Sequence, residues 1–291
     1  MLTSPLRRGS CVVVPARGTL VAAGDLHDNP VNLARLRRLA GLDESRPEGG
    51  SHMVVHELIH GDRLVDGVDL SHRILLRASM LILQHPLRVH VLLANHEIAQ
   101  LVRRGVSKGA GDSVQLFRDG LEYVFGDAAT EVEPAVDEFF RALPLALRSE
   151  PDARGRTVLC AHSLPGPAAM RHFDIGVYGR PLAEADYAAP QGAAYLATWG
   201  RGLDAEHLHD LGSRLGVTLF CLGHQHAETG VELLSPNAVV INSDHDRACA
   251  VPLELDAIPD GEEAVLTAVP LASIGDGEQS GRDGAGGRSW R

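Results

Sequence analysis

Aromatic residues are scarce in this chain: Phe, Trp and Tyr together make up 4% of its 291 residues. A nucleotide site needs an aromatic surface on which a base can stack, so the shortage weighs against a nucleotide substrate. Positive charge is also in deficit. The formal net charge of -11 excludes a general affinity for nucleic acid or an anionic membrane, because both require a basic surface to meet phosphates. Long apolar runs are missing as well. The charged N-terminus is followed by only four apolar residues, Cys11 to Val14, too few for a signal-peptide core or a membrane span, so the expectation is a cytoplasmic protein. Cysteine pairs are absent too. Cys11, Cys160, Cys221 and Cys249 stand singly in apolar runs, which removes a zinc knuckle or a disulfide framework and leaves buried, reduced thiols.

What is present is the composition of an ordinary globular protein, 44% apolar and 22% charged, enough for one sizeable core. Apolar runs predict strands at 11–14, 19–23, 53–59, 88–93, 145–148, 157–161 and 217–222. Three more extended runs, 230–234, 238–242 and 248–255, contain a hairpin at Ser235-Pro236-Asn237. Helical spacing marks 29–40, 70–84, 136–143 and 203–215, and residues 162–192 read as a long loop able to shape a cleft. Beyond Ala268 the apolar content nearly vanishes. The expected organisation is a catalytic domain over 1–268 and a disordered tail over 269–291.

Five predicted strands end in residues able to bind metal: Asp25 and His27, Asp62, Asn95 and His96, His162, and His224 and His226. Strand ends are where folds of mixed α/β type build sites. Members of the two spaced pairs, two residues apart, face one side. Three oxygen donors and four imidazoles suit manganese, iron or zinc better than calcium or a thiolate-bound metal.

The series Gly24-Asp25-Leu26-His27, Gly61-Asp62, Asn95-His96-Glu97, His162 and Gly223-His224-Gln225-His226 resembles the motifs of calcineurin-like metallophosphoesterases. The likeness is nearest to the phosphoprotein phosphatase branch, where a Phe-x-x-Leu-Pro element precedes the isolated His, as Phe140 to Pro144 precedes His162. It covers about residues 20–255. The resemblance implies a mixed α/β fold, a sandwich of two mixed β-sheets flanked by helices. It implies two divalent ions, with manganese first and iron or zinc next. Asp25, His27 and His226 would hold one ion, Asn95, His162 and His224 the other, and Asp62 would bridge them. A water activated between the ions would attack phosphorus, and His96 would protonate the leaving oxygen. The implied substrate is a phosphoprotein or a small phosphoester, with Ser/Thr phosphatase activity ahead of hydrolysis of a dinucleoside polyphosphate or other nucleotide.

The branch shows G-D-x-V-D-R-G after its bridging Asp, whereas here Asp62 is followed by Asp66 one place late and by no Arg. Asp66 is the candidate to orient His96, and Arg63 and Arg201 are the candidates to bind phosphate. His60 is a candidate for the layer around the ligands, His52 and His56 read as structural, and His245 lies in a loop able to face substrate. His56-Glu57-Leu58-Ile59-His60 also spells H-E-x-x-H, the zinc-protease signature. That chemistry needs a helix to bring both histidines to one ion, and Met53-Val54-Val55 before it and Gly61 after it favour a strand. A non-catalytic scaffold of the same fold would have lost ligands, and none is lost here.

Overall fold

The structure, a computed structural model, describes residues 4–42, 50–105, 107–108 and 111–275. The strands in chain order are β1 (Arg7–Arg8), β2 (Cys11–Val14), β3 (Thr19–Asp25), β4 (His52–His56), β5 (Val89–Leu92), β6 (Ser107–Lys108), β7 (Gly111–Asp112), β8 (Ala146–Ser149), β9 (Val158–Ala161), β10 (Leu219–Leu222), β11 (Val231–Ser235), β12 (Ala238–Ile241), β13 (Cys249–Glu254) and β14 (Val269–Pro270). The helices are α1 (Pro30–Leu39), α2 (His72–Gln84), α3 (Asn95–Leu101), α4 (Ser113–Phe125), α5 (Ala129–Ala142), α6 (Glu184–Tyr187), α7 (Ala193–Thr198), α8 (Ala205–Leu215) and α9 (Gly261–Leu266). Among the described residues, no helix is long and apolar enough to cross a membrane.

Two mixed sheets carry the fold, one ordered β1-β2-β8-β9-β10-β12-β11 and the other β14-β13-β3-β4-β5. Between them lies a core that includes Leu20, Ala22, Val54, Leu92, Leu147, Val158, Leu219, Val239 and Val251. The opposite faces pack on helices, with Val21, Met53 and Val55 meeting Ile74, Ala78 and Phe117. This alternation follows from the period of two along a strand. On β4 it places His52, Val54 and His56 on the inter-sheet side. The parallel β3–β4 register pairs Ala22 with Val54 and then Asp25 with His56, so β3 carries one extra residue between those partners. Such a bulge reverses the facing of the residues beyond it, and it turns Asp25 to the side that His56 occupies.

Three expectations need correction. β4 stops at His56, short of residue 59, because Glu57 and His60 take left-handed conformations, with φ of +50° and +60°. Leu58 and Ile59 are buried outside any ladder, and their N–H groups donate to Glu97 Oε1 at 2.8 and 3.4 Å. Their apolar character reflects burial rather than a strand. The last helix before Pro144 begins at Ala129, seven residues ahead of the expected start at 136. Order continues past 268. Val269–Pro270 adds an edge to β13, and Leu271 is fully buried in the core on the α1 side of that sheet. The rest of the expected tail, 276–291, lies outside the described residues.

At the far end of β4 and β5 from Asp25, His52 Nδ1 lies 3.3 Å from His90 Nε2 and the rings stack at 5.5 Å. Desolvation pushes His52 down to about 4; desolvation, then the neighbouring His52, pushes His90 down to about 3. Both folded values lie below the ordinary 6.5, so the unfolded chain binds more protons once the pH drops below that value. The stabilisation is complete above 6.5 and is lost as pH falls towards 4. Urea unfolding at pH 7 and pH 5 is expected to show a loss to which each imidazole contributes up to about 2 kcal/mol. The double variant His52→Val/His90→Val flattens this slope, and an unchanged slope refutes the assignment.

Candidate metal centre

The site forms where the strands of both sheets end. The bulge in β3 delivers Asp25, and Gly24 before it lies so close to β12 that an added Cβ would meet the Ile241 carbonyl oxygen at 1.8 Å. Past the strand, His27 and Asp28 take φ of +40° and +55°, folding the chain back over β4. His27 Nδ1 lies 3.3 Å from the Ile59 carbonyl oxygen, so it carries the proton there and leaves Nε2 for the site. That Nε2 is 3.4 Å from Glu57 Oε2.

Glu57 is the first residue after β4, and its left-handed backbone lifts the carboxylate from the sheet into the gap between two groups of donors. On one side, Asp25, His27 and Glu57 offer atoms that all lie within 4.8 Å of one another. On the other side, Glu57 Oε1 is 3.9 Å from His162 Nε2 and 3.3 Å from His96 Nε2. His162 follows β9, Asn95 opens α3 and His224 follows β10 with φ of +64°. His162 Nε2 is 2.6 Å from Asn95 Oδ1 and 3.2 Å from His224 Nδ1.

These donors fit a pair of divalent ions. Two imidazole nitrogens and an amide oxygen converge, and a single proton on His162 Nε2 can serve one of those neighbours at a time. A cation would serve all of them: a first shell of about 2.1 Å sets donors roughly 3.0–3.4 Å apart, which the His162 Nε2 to His224 Nδ1 distance of 3.2 Å matches. Oxygen and imidazole donors without thiolate suit manganese, iron or zinc. Burial raises the Asp25 pKa, but hydrogen bonds from His162 and His56 outweigh it and hold the carboxyl well below its usual range. Desolvation keeps His162 down at about 4, and desolvation with the charges of His162 and Arg201 keeps His224 at about 3. The ligands are thus ready in their metal-binding forms. Burial pushes Glu97 up to about 7, against its bonds from Leu58 and Ile59.

Asp25, His27, Asn95, His162 and His224 are brought together as expected. Asp62 is not. It is exposed and in neither donor group, while Glu57 lies between the two. The physical reason is the early end of β4: the chain reverses at Glu57, and Gly61 abuts the His27 carbonyl, where a Cβ would stand 2.2 Å from the oxygen. Counted from Glu57, the pattern G-D-x-V-D-R-G places Leu58, Ile59 and His60 on x-V-D with no inserted residue. That count was the available signal for Glu57. His226 is exposed beside His245, ring centres 5.6 Å apart, and joins neither group. His245 Nε2 donates to the Ala227 carbonyl at 3.0 Å, and its Nδ1 accepts from Arg247 N.

Asp66 is also displaced, exposed and accepting from the Tyr123 hydroxyl at 3.2 Å. Beside His96 stands His60 instead, ring centres 5.3 Å apart, with its Nδ1 3.0 Å from Asp69 Oδ2. Arg63 pairs with Asp244 at 2.6 Å and donates to the His27 carbonyl at 2.8 Å, so it straps two loops together. Arg201 is exposed, near enough to His224 to depress its pKa. The H-E-x-x-H stretch is no helix: His56 ends a strand beside Asp25, and His60 turns away to Asp69. The zinc-protease arrangement is therefore absent, yet His56 and Glu57, passed over in the sequence, both stand at the centre.

Residues 18–228 match the family model described as calcineurin-like phosphoesterase. No curated protein matches the chain. Among solved structures, a protein serine/threonine phosphatase from Saccharomyces cerevisiae is similar at TM-score 0.61 and 13% identity, covering 84% of this chain and 77% of that one. A cold-active protein-tyrosine phosphatase of a psychrophilic Shewanella is similar at TM-score 0.60 and 15% identity, covering 84% and 78%.

Replacing Glu57 by Gln is expected to cut bound divalent metal, measured by elemental analysis after gel filtration, to less than half of the wild-type content. Asp62→Asn should retain the full amount. The opposite ranking would restore Asp62 as the bridge.

Proposed function

The chain belongs to the calcineurin-like phosphoesterase family, metal-dependent hydrolases of phosphoric esters, and on that premise we propose that it dephosphorylates phosphoproteins at a two-metal centre. The observation that carries this reading is the Glu57 carboxylate, with Oε2 3.4 Å from His27 on one side and Oε1 3.9 Å from His162 on the other. Asp25 and His27 would hold one ion, Asn95, His162 and His224 the other, and Glu57 both. Manganese is the favoured ion, with iron and zinc compatible with the same donors. When bound, the ions would acidify a water and neutralise phosphoryl charge.

The chain's own groups complete the reaction. His96, buried beside Glu57, is the proton donor to the leaving oxygen, a task suited to an imidazole. His60, bonded to Asp69, packs against His96 and limits its rotation. Arg201 is the side chain available to a phosphate oxygen, since Arg63 is engaged with Asp244. The phosphatase identity of the two similar structures supports a phosphoprotein substrate, and the exposure of Arg201 leaves it within reach of a phosphate carried on a peptide.

One observation favours the nucleotide reading. Tyr195 stacks on Trp199 at 5.4 Å, and Trp199 stands 6.2 Å from His224, ring centre to ring centre. This aromatic pair is the surface on which a base could lie.

With added manganese, the wild type is expected to hydrolyse p-nitrophenyl phosphate, and His96→Asn to lose about 10²–10⁴-fold in kcat while keeping its metal. Wild-type inactivity with two ions bound would support a non-catalytic scaffold instead. Phosphopeptides and dinucleoside polyphosphates tested side by side decide the substrate: faster turnover of the latter, abolished in Trp199→Ala, would overturn the phosphoprotein reading. Arg201→Ala should raise KM about tenfold and Arg63→Ala much less.

A further inference from the structure

His56 is buried to 1% exposure, yet it takes no part in the ligand scheme above. It stands between the two sheets, under the metal centre, on the face that Val54 shares with the apolar core. An imidazole in such a place costs desolvation unless its polar atoms are used. Its Nδ1 lies 3.2 Å from Asp25 Oδ1 and 3.2 Å from His162 Nδ1, and those two atoms are 3.3 Å apart. Asp25 and His162 belong to different donor groups, so His56 touches both.

The protons follow from this geometry. His162 Nε2 faces Asn95 and His224 and must present its lone pair to a cation there, so the proton of the neutral ring resides on Nδ1. That N–H points at Asp25 Oδ1. His56 Nδ1 converges on the same oxygen, which can accept it only if His56 too is an Nδ1–H donor. Asp25 Oδ1 also accepts from the His224 backbone N–H at 3.1 Å, whereas Oδ2 accepts that one N–H at 3.0 Å. Oδ1 is thus saturated with donors, and Oδ2 keeps the spare lone pair for a metal. A Cβ at Gly223 would stand 2.3 Å from His56 Cε1 and 2.3 Å from Asp25 Oδ1, so the absent side chain at 223 is what admits the imidazole at this depth.

We propose that His56 is a positioning residue that joins the two metal sites, fixing which Asp25 oxygen and which His162 nitrogen face the ions. The inference rests on the two-metal reading. It assigns His56 no contact with substrate. Its effect is on metal retention: partners of this kind alter affinity by about 10–100-fold when removed.

The test uses full-length protein stripped with chelator and titrated with Mn²⁺ by calorimetry, alongside thermal melts of the metal-free forms. His56→Phe keeps a planar ring without a donor and is expected to weaken binding 10–100-fold, with both ions affected because one ring serves both sites. His56→Asn carries an amide N–H near the Nδ1 position and should recover most of the affinity, while His56→Gln, which places its amide near Nε2, should not. Wild-type affinity in a folded His56→Phe overturns the proposal. So does equal weakening in the Asn and Gln variants, which would mark a packing role. This pair decides the matter even if the Phe variant fails to fold. A wild type that binds no Mn²⁺, Fe²⁺ or Zn²⁺ overturns the two-metal reading itself, an outcome distinct from any difference among the variants.

Discussion

The convergence on Asp25 is the interaction from which the site is built. One oxygen of a buried carboxylate gathers the His56 and His162 side chains and the His224 N–H. These three residues come from β4, from the end of β9 and from the end of β10, and so from both sheets. The sandwich is therefore fastened at its rim through a negative charge, which needs cations nearby to compensate for its removal from water. Divalent ions held by the same residues would meet that need, and folding and metal binding would then draw on one set of contacts.

Irregular backbone does the rest of the positioning. The bulge in β3 turns Asp25 inward, and left-handed residues at His27, Glu57 and His224 lift side chains from strand ends into the gap. Non-glycine residues in that region carry strain. Among the described residues it falls at His27, Asp28, Glu57, His60 and His224 around this site, as well as at Asp66 and Arg103, and local hydrogen bonds oppose it at the site. Glu97 takes the N–H groups of Leu58 and Ile59, and Arg63 holds the His27 carbonyl.

How much could be read from the chain alone follows from the same contrast. Strands announced by regular apolar runs were legible, and with them Asp25, Asn95, His162 and His224, each directly after a run. Glu57 was not, because Leu58 and Ile59 extend the apolar run past the true strand end. Burial and strand pairing leave the same mark on a sequence. Once the strand was drawn too long, Asp62 became its terminus, and Asp66 then took the place held by His60 and Asp69. His226 failed for a related reason. Spacing by two implies one face only while the backbone stays extended, and φ of +64° at His224 ends that. The order at Leu271 was hidden because a few apolar residues ahead of a polar stretch are a weak signal, although one of them is wholly buried.

Gly223 and His56 occupy each other's space, and the dependence between them is unequal. A side chain at 223 would collide with the imidazole and equally with the Asp25 carboxylate. Glycine is therefore required there whichever residue stands at 56. Position 56 can change while 223 stays glycine, at the cost of a hole beneath a charged carboxylate. Of the two, the residue without a side chain is the less replaceable.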